Sequence, residues 1–320
     1  MLLEQIYYMV QMRHEPATVK QTRVKQDYVG RFAPSPTGPV HFGTLLAAAG
    51  SYLQAKVNQG KWLVRMEDVD TTRSVDGAET DILYTLEAFG FEWDGDVVYQ
   101  SKRTELYRQA LDILKQDKLL FPCLCSRKQL AATGSAVYPG TCRDRTFPEK
   151  REHAVRVFVD DSMIMFHDCI VGRQQQKLST ECGDFVVKRR DGLFAYQLAV
   201  VVDDALQGIT EIVRGADLLD STPRQIYLQQ LLGYPTPGYC HLPLAVGQDG
   251  SKISKSAGAA KVDIGYRQAA LVHVLDFLGQ QPPRELLDTD LAAIWRWAIE
   301  HWKLAKVPRE SMVLGRLELS

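Results

Sequence analysis

The stretch that decides the fold is RFAPSPTGPVHFGT, Arg31 to Thr44. It overlaps a short apolar run, YVGRFA at residues 28–33, which indicates a buried strand. The Pro and Gly residues between 34 and 39 then predict a rigid turn. From about His41, apolar residues recur at helical spacing, at Phe42, Leu45, Leu46, Ala49 and Leu53. A strand that passes through a tight turn into a helix is typical of the first βα unit of a parallel sheet.

The alternation of strands and helices continues along the chain. Further strands are predicted at WLVRM (62–66), AVRVFV (154–159), FAYQLAVVVDD (194–204) and ITEIVRG (209–215). Helices are predicted at DGAETDILYTLEAFG (76–90), TELYRQALDILKQDK (104–118), STPRQIYLQQLLG (221–233) and in the helix-rich chain from Ala257. We expect Asp76 and Glu79 to form a capping box, Gly90 to end that helix, and residues 160–178 to be irregular. This order predicts an α/β fold with helices on both faces of a parallel sheet.

Composition limits the class of protein. Of 320 residues, 45% are hydrophobic and 24% charged, which indicates a globular chain with a large core. The net charge of −1 excludes a strongly basic nucleic-acid binder, so any RNA contact depends on local patches. Six cysteines are too few for a disulfide scaffold, and no apolar run has the length of a membrane span. We therefore expect a cytoplasmic protein without a membrane partner.

Residues 1–27 are aperiodic, and we interpret them as an N-terminal extension. Met9 or Met12 could equally be the true start. The alternative is a basic RNA-binding arm built on Arg13, Lys20, Arg23 and Lys25.

Two segments have the chemistry of an ATP site. The helix start at His41 offers free backbone N–H groups to an anion, His41 can donate to a phosphate, and Gly43 leaves room for adenine. The segment GQDGSKISKSAGA (247–259) carries Lys252 and Lys255, which could close over a triphosphate. Each segment alone is better explained by a structural interpretation, the first as a rigid turn and the second as a solvated basic loop. Together, one near the first strand and one after the last, they are expected to meet at the carboxyl edge of one sheet.

Five blocks of sequence, in order between residues 28 and 258, carry a family resemblance. They are RFAPSPTGPVHFGT, VRMEDVDTTRS, DFVVKRRDGLFAYQLAVVVDD, GITEIVRGADLLDSTPRQIYL and HLPLAVGQDGSKISKS. The chain resembles the class I aminoacyl-tRNA synthetases, whose HIGH and KMSKS signatures are here HFGT and KISKS, and more narrowly the glutamyl enzymes. It is most similar to a short paralogous branch without the anticodon-binding domain, and the short chain after Ser256 fits that branch.

The resemblance implies site residues, each with a matching physical role. The implied glutamate pocket consists of Arg31, Phe32, Ala33, Pro34, Ser35, Glu67, Tyr196 and Arg214. The implied ATP site consists of His41, Gly43, Thr44, Lys252, Ser254 and Lys255, of which His41, Lys252 and Lys255 are the catalytic residues. Arginines at 31 and 214 can each grip a carboxylate bidentately, and a carboxylate at 67 can pair with the ammonium group. Asp203 and Asp204 could assist Mg²⁺ or ribose, or form a solvated turn.

A third group of residues could bind zinc. Cys123, Cys125, Tyr138 and Cys142 resemble the zinc site of the same branch, in which a tyrosine oxygen completes three thiolates. Tetrahedral zinc accepts such a set, and its role would be structural. His153 or water remains an alternative fourth ligand, and the absence of metal remains an alternative as well. The other three cysteines are expected to be buried thiols.

The resemblance implies a class I synthetase fold: a Rossmann-like parallel sheet split by a zinc-bearing insertion, followed by a short helical C-terminal region. The corresponding divisions are 1–27, 28–122, 123–185, 186–258 and 259–320. The excess of Lys and Arg over acids at 123–160, with Lys188, Arg189 and Arg190, is either a phosphate-contacting surface or a solvated face.

The implied activity is ATP- and Mg²⁺-dependent formation of glutamyl-adenylate, followed by transfer of glutamate to the queuosine base at the wobble position of tRNA(Asp), by a monomer. Three alternatives remain. They are a shortened glutamyl-tRNA synthetase that charges the tRNA 3′ end, a catalytically silent zinc-stabilised RNA-binding paralogue, and a nucleotidyltransferase with the same His-x-Gly motif.

Overall fold

A computed structural model describes residues 27–135, 137–147, 152–247 and 261–313. The strands are β1 (Val29–Phe32), β2 (Lys61–Met66), β3 (Val98–Tyr99), β4 (Leu120–Cys123), β5 (Ala154–Val157), β6 (Met163–Asp168), β7 (Gly172–Lys177), β8 (Phe185–Lys188), β9 (Glu211–Gly215), β10 (Gly238–Leu242), β11 (Ala245–Val246) and β12 (Met312–Val313). The α-helices are α1 (Phe42–Val57), α2 (Ala78–Ala88), α3 (Thr104–Gln116), α4 (Arg127–Ala131), α5 (Leu178–Glu181), α6 (Tyr196–Leu206), α7 (Thr222–Leu232), α8 (Arg267–Phe277) and α9 (Leu291–His301).

A parallel sheet forms the centre of the molecule, as the sequence predicts. Strands β1, β2 and β3 pair in parallel, and so do β9, β10 and β6, while β7 adds an antiparallel edge. The two groups meet where β1 runs beside β9, since the Thr210 amide donates to the Val29 carbonyl at 2.9 Å. The chain therefore has the predicted α/β architecture with a Rossmann-like sheet.

Helices cover both faces of the sheet. On one face α1 lies so close to β10 that a Cβ added at Gly50 would lie 2.6 Å from Leu242 Cδ1. The C-terminal helices α8 and α9 pack on the same core, where Trp295 Nε1 donates to the Phe89 carbonyl at 2.9 Å. On the other face α3, α6 and α7 share a second core with β9. The prediction of a helix-rich C-terminal part is confirmed for the described residues.

A smaller antiparallel sheet, β4–β5–β8, occupies the middle of the chain. It packs around Phe121, Cys123, Tyr138 and Cys142, which form a core of their own. No helix within the described ranges is long and apolar enough to cross a membrane.

Three local predictions are wrong. Residues 194–204 are not a strand: after Ala195, helix α6 buries a run of three valines, Val200–Val202, between the sheet and neighbouring helices. Residues 160–178 are not irregular, because they contain the β6–β7 hairpin. The capping box at Asp76 is absent, because Gly77 at φ +75° is the N-cap of α2 and no side chain caps it.

Gly90 follows the end of α2 with φ +74°, as predicted for a helix stop. The HFGT helix and the remaining predicted strands and helices within the described residues are confirmed.

Candidate active site and metal centre

A cavity of about 330 Å³ opens at the carboxyl ends of β1, β2, β9 and β10. Every predicted glutamate- and ATP-site residue in the described ranges lines it: Arg31, Phe32, Ala33, Pro34, Ser35, His41, Gly43, Thr44, Glu67, Tyr196 and Arg214. The predicted Lys252, Ser254 and Lys255 lie outside the described residues. Ligand sites of α/β proteins usually occupy this edge of the sheet, so the position is that of a substrate pocket.

Arg31 at the end of β1 is 3% exposed and is oriented by a buried acid. Its Nε donates to Asp204 Oδ1 at 3.1 Å. Within the described chain its two terminal nitrogens have no hydrogen-bond partner, and the residue lines the cavity. Arg31 can therefore still grip a carboxylate with both terminal nitrogens.

Asp203 and Asp204 are buried structural acids, so neither earlier interpretation of them holds. Asp204 also accepts from Arg65 Nη2 at 2.8 Å. Asp203 accepts from Arg103 at 2.6 Å and from the Tyr107 hydroxyl at 2.7 Å. Because both carboxylates are buried and paired with cations, this segment is not a solvated turn, and neither side chain is free to bind Mg²⁺ or ribose.

Glu67 supplies a buried negative charge to the cavity, which Asp217 also lines. Glu67 follows β2, its side chain is 7% exposed, and Arg65 Nη2 lies 3.4 Å from its Oε1. Burial raises its pKa, and the positive charges of Arg65 and Arg31 only partly oppose this. A buried carboxylate with one long ion pair gains stability from a second cation, such as an ammonium group.

Tyr196 begins α6 and lies at the junction of two spaces. It lines the cavity and also a larger cleft of about 670 Å³. Burial, followed by the nearby negative charge of Glu67, raises the pKa of Tyr196 to about 12. The phenol therefore stays protonated and can donate a hydrogen bond at neutral pH.

Arg214 on β9 is 4% exposed and held more tightly than the sequence suggests. Its Nε donates to His241 Nε2 at 3.1 Å, and its Nη1 donates to Gln225 Oε1 at 2.8 Å. Its Nη2 donates to Thr222 Oγ1 at 2.9 Å and to the Leu218 carbonyl at 3.3 Å. Because four of its five N–H groups have partners, Arg214 cannot grip a carboxylate bidentately in this arrangement and offers one donor instead.

His41 is the N-cap of α1. Its Nδ1 accepts from the Thr44 amide at 3.3 Å, and its Nε2 lies 3.1 Å from Thr44 Oγ1. The ring folds back over the first turn because Gly43 has no side chain, and an added Cβ would lie 3.3 Å from His41 Cε1. The structure thus gives Gly43 a role in positioning His41, in addition to the predicted space for adenine.

The described residues that flank the KISKS segment lie at this site on both sides. Ala245 on β11 lines the cavity just before the segment. After it, Lys261 forms an antiparallel bridge with His41, and the Val262 amide donates to the Val40 carbonyl at 3.0 Å. The chain on both sides of the KISKS segment therefore reaches the site at the HFGT helix start, while the KISKS residues themselves lie outside the described ranges.

The larger cleft leads from the cavity towards the insertion. Ser35, Glu67 and Tyr196 belong to both spaces. The cleft is also lined by Cys125, by five arginines and by three further acids, namely Arg73, Arg127, Arg156, Arg189, Arg190, Asp70, Glu152 and Asp191. Five arginines against four acids, Glu67 included, give the cleft a small excess of positive charge, which is compatible with a polyanionic substrate.

The predicted zinc ligands come together. Cys125 Sγ lies 3.6 Å from Cys142 Sγ, and the Tyr138 hydroxyl oxygen lies 3.5 Å from Cys123 Sγ and 3.9 Å from Cys125 Sγ. Two sulfurs bound to tetrahedral zinc at about 2.3 Å lie about 3.8 Å apart, so these distances match the edges of such a site. The donor set therefore fits zinc.

The fourth position faces Tyr138. The Cys142 amide donates to the Tyr138 hydroxyl at 2.9 Å, and the Arg156 guanidinium lies 4.0 Å above its ring. His153, the alternative ligand, does not belong to the group of thiols that lie within 4.8 Å of one another. The geometry therefore favours the tyrosine oxygen.

The remaining cysteines only partly follow the prediction of buried thiols. Cys240 is buried and Cys182 half-buried, but Cys169 is exposed. Cys169, Cys240 and Glu211 form a second group whose ligand atoms lie within 4.8 Å. This group could not be predicted from the sequence, because Cys169 follows β6 while Glu211 and Cys240 lie on β9 and β10.

The predicted basic surface is only partly available. Arg143 is paired with Asp184, and Arg156 is buried and donates to the Asp184 carbonyl at 2.6 Å. Arg189 is paired with Asp70 at 2.7 Å. The exposed cations are Arg127, Lys128, Arg145 and Arg190, while Lys150 and Arg151 lie outside the described residues.

Comparisons with known proteins agree with this geometry. Residues 28–288 match the model of the family "tRNA synthetases class I (E and Q), catalytic domain". The glutamyl-Q tRNA(Asp) synthetase of Dechloromonas aromatica (strain RCB) is 56% identical over 294 residues, which is 90% of this chain and 98% of that protein. The protein of the same name from Thiobacillus denitrificans (strain ATCC 25259 / T1) is 52% identical over 290 residues, 89% of this chain and 96% of that one. The crystal structure of glutamate-tRNA synthetase from Elizabethkingia anophelis superposes with a TM-score of 0.77 at 25% identity, covering 91% of this chain and 68% of that one.

Proposed function

The chain belongs to the class I tRNA synthetases of the glutamyl and glutaminyl type, and from this premise we propose that it activates glutamate with ATP and transfers it to the queuosine base at the wobble position of tRNA(Asp). The observation that carries the proposal is the set of charges in the 330 Å³ cavity. Two arginines and one buried carboxylate match the two carboxylates and one ammonium of free glutamate.

Each charge of glutamate has a partner in this proposal. The free terminal nitrogens of Arg31 bind one carboxylate bidentately, and the remaining N–H of Arg214 binds the other. Glu67 pairs with the ammonium group, and Tyr196 donates a hydrogen bond to the substrate. The cavity is lined by Ala33 and Pro34 where the turn after β1 passes, which limits the length of the bound amino acid.

Activation requires little covalent help from the protein. The α-carboxylate oxygen of glutamate attacks the α-phosphorus of ATP, the bond to the β-phosphate oxygen breaks, and pyrophosphate leaves. The N-terminus of α1, with His41 and Thr44, faces the phosphates, and Lys252 and Lys255 neutralise charge on the leaving group. Mg²⁺ is expected to accompany the ATP phosphates and screen their charge.

Transfer uses the 670 Å³ cleft that shares Ser35, Glu67 and Tyr196 with the cavity. A hydroxyl of the queuosine ring attacks the carbonyl carbon of the adenylate, and AMP leaves. The bases of an anticodon loop are splayed out, so one base can enter the cleft while arginines along it contact phosphates. The names of the relatives support tRNA(Asp) as the acceptor.

The metal has a structural role in this proposal. Cys123, Cys125, Cys142 and the Tyr138 oxygen hold zinc, which fixes a core too small to be stable by itself. Residues 123–185 then act as the insertion between two halves of the catalytic domain, 28–122 and 186–258, with 1–27 and 259–320 as flanking parts. We further propose a monomer that works in the cytoplasm.

The acceptor assay uses labelled glutamate and three RNAs: tRNA(Asp) with queuosine, the same tRNA with guanosine at the wobble position, and the first RNA without its terminal adenosine. Label is expected on the first and third RNA. Label on the first two, with none on the trimmed RNA, would show a shortened glutamyl-tRNA synthetase instead. Wild-type protein without glutamate-dependent exchange of pyrophosphate into ATP, with and without tRNA, would favour the silent paralogue.

A further inference from the structure

We propose that Asp168 and His241 form a buried positioning pair that fixes Arg214 for the substrate carboxylate. The proposal deepens the function proposed above and rests on it, since it assumes that Arg214 contacts glutamate. Neither residue lines the cavity, so both act through Arg214 and are positioning residues.

The pair lies within the sheet, beneath the pocket. His241 on β10 is the register partner of Arg214 on β9, and both Asp168 and His241 are fully buried. The carboxylate of Asp168, at the end of β6, accepts a hydrogen bond from His241 Nδ1 at 2.6 Å. On the other side of the ring, His241 Nε2 accepts a hydrogen bond from Arg214 Nε at 3.1 Å. Three adjacent strands thus supply one chain of hydrogen bonds: carboxylate, imidazole, guanidinium.

Arg214 determines the tautomer of His241. A guanidinium N–H can only donate, so His241 Nε2 has to present its lone pair. The ring proton therefore sits on Nδ1 and is donated to Asp168. Burial lowers the pKa of His241, and the positive charge of Arg214 lowers it further. The hydrogen bond to Asp168 raises this pKa but does not outweigh burial. The neutral ring accepts from the arginine.

Asp168 is fixed as well. Its Oδ1 accepts the amides of Ile170 and Val171 at 2.9 Å and that of His241 at 3.2 Å, which leaves Oδ2 for the imidazole. Burial would raise the pKa of Asp168, but the hydrogen bonds from His241 and from these amides lower it overall. The carboxylate is ionised and cannot exchange its two oxygens without losing backbone partners.

The consequence for Arg214 is a fixed plane. The Nε of Arg214 donates to His241, and its Nη2 donates to Thr222 and to the Leu218 carbonyl. These hydrogen bonds prevent rotation of the guanidinium about its long axis. The remaining N–H, on the Nη1 that also donates to Gln225, is then the one donor that Arg214 retains for the cavity it lines. Such preorganisation lowers the ordering cost of binding and should appear in the affinity for glutamate.

Asp168→Asn tests the geometry most sharply. Because three amides hold the Oδ1 position, the new NH₂ group must face His241 Nδ1. The ring must then accept at Nδ1 and carry its proton on Nε2, which faces the Nε–H of Arg214 at 3.1 Å and Thr222 Oγ1 at 3.2 Å. Two donors facing each other should displace Arg214 and raise the KM for glutamate about ten- to a hundredfold, with the KM for ATP within about twofold.

The second pair of variants is His241→Gln and His241→Leu. Glutamine keeps an acceptor for Arg214, so its KM for glutamate should lie nearer to wild type than that of leucine. Ser51→Ala is the matched control, since it removes an equally buried hydrogen bond, from Trp62 Nε1 at 2.9 Å, between two residues that do not line the cavity. It should lower the melting temperature without changing either KM.

The ¹⁵N chemical shifts of the His241 ring provide a readout that does not depend on activity. Protonated Nδ1 in wild type and protonated Nε2 in Asp168→Asn are expected. Wild-type protein with the proton on Nε2, or an unchanged glutamate KM in both Asp168→Asn and His241→Leu, would overturn the proposal. If wild type lacks glutamate-dependent exchange but the tautomer switches as expected, the proposed function fails while the positioning of Arg214 stands.

Discussion

Replacing Glu67 by glutamine removes one negative charge from the cavity and almost nothing else. The side chain keeps its length, and the amide oxygen can still accept from Arg65 Nη2, which lies 3.4 Å away. The proposed partner of Glu67, the ammonium group of glutamate, loses its counter-charge. The KM for glutamate should therefore rise, whereas the KM for ATP should stay within about twofold, because the helix start at His41 is unchanged.

The size of the effect follows from burial. Removing one member of a desolvated, hydrogen-bonded charge pair costs about 2–5 kcal/mol. Glutamine retains one acceptor, so the lower part of that range applies, about 2–3 kcal/mol, or about a 30- to 150-fold rise in KM. Stability should respond in the opposite direction. Since burial raises the pKa of Glu67, its ionised form destabilises the folded state above the normal range of glutamate titration, and an amide relieves this.

The assay is pyrophosphate exchange at varied glutamate, with thermal unfolding in parallel. In wild type, kcat/KM for glutamate should fall as pH decreases through the raised pKa of Glu67, and the variant should lack this acid limb. Glu87→Gln, an exposed substitution on α2, is the control and should change neither quantity. A glutamate KM within twofold of wild type, or a melting temperature several degrees lower, would refute the role of Glu67 as the ammonium partner.

Three further predictions concern the metal, the KISKS segment and the helix start. Protein purified without chelators should contain about one zinc per chain, and Cys123→Ser should lose it while Cys182→Ser keeps it; equal zinc in both variants would contradict the site. Lys255→Ala should reduce pyrophosphate exchange by about 3–4 kcal/mol in activation free energy, and an unchanged rate would contradict its role. Gly43→Ala should weaken ATP binding, because the new Cβ would lie 3.3 Å from His41 Cε1; calorimetric titration measures the dissociation constant of ATP directly.

Sequence reasoning succeeded where local chemistry decides the outcome. The turn at 34–39, the helix from Phe42 and the gathering of Cys123, Cys125 and Cys142 all follow from residue types at short spacing. It failed at Val200–Val202, because a short run of apolar β-branched residues fits a buried strand and a fully buried helix equally well. Only the packing of α6 against the sheet resolves that ambiguity.

The partners of the pocket residues could not be predicted for a different reason. Asp204 is 173 residues from Arg31 in sequence, and Asp168 is 73 residues from His241. Buried ion pairs of this kind depend on strand order, which periodicity does not encode. An acidic pair at a predicted element end therefore suggests a magnesium or ribose contact or a solvated turn, whereas in the structure Asp204 orients Arg31 of the pocket and Asp203 binds Arg103.

The position of β6 has a consequence for protein engineering. The insertion, residues 123–185, cannot be deleted or exchanged between relatives as one unit. It contains β6, which pairs with β10 of the central sheet. A deletion mutant would leave β10 with an uncovered edge, which invites intermolecular strand pairing and aggregation. It would also remove the acceptor of the buried His241 ring. A viable graft must therefore cut before Met163, leaving the β6–β7 hairpin with its host, so that only the zinc-binding portion is exchanged.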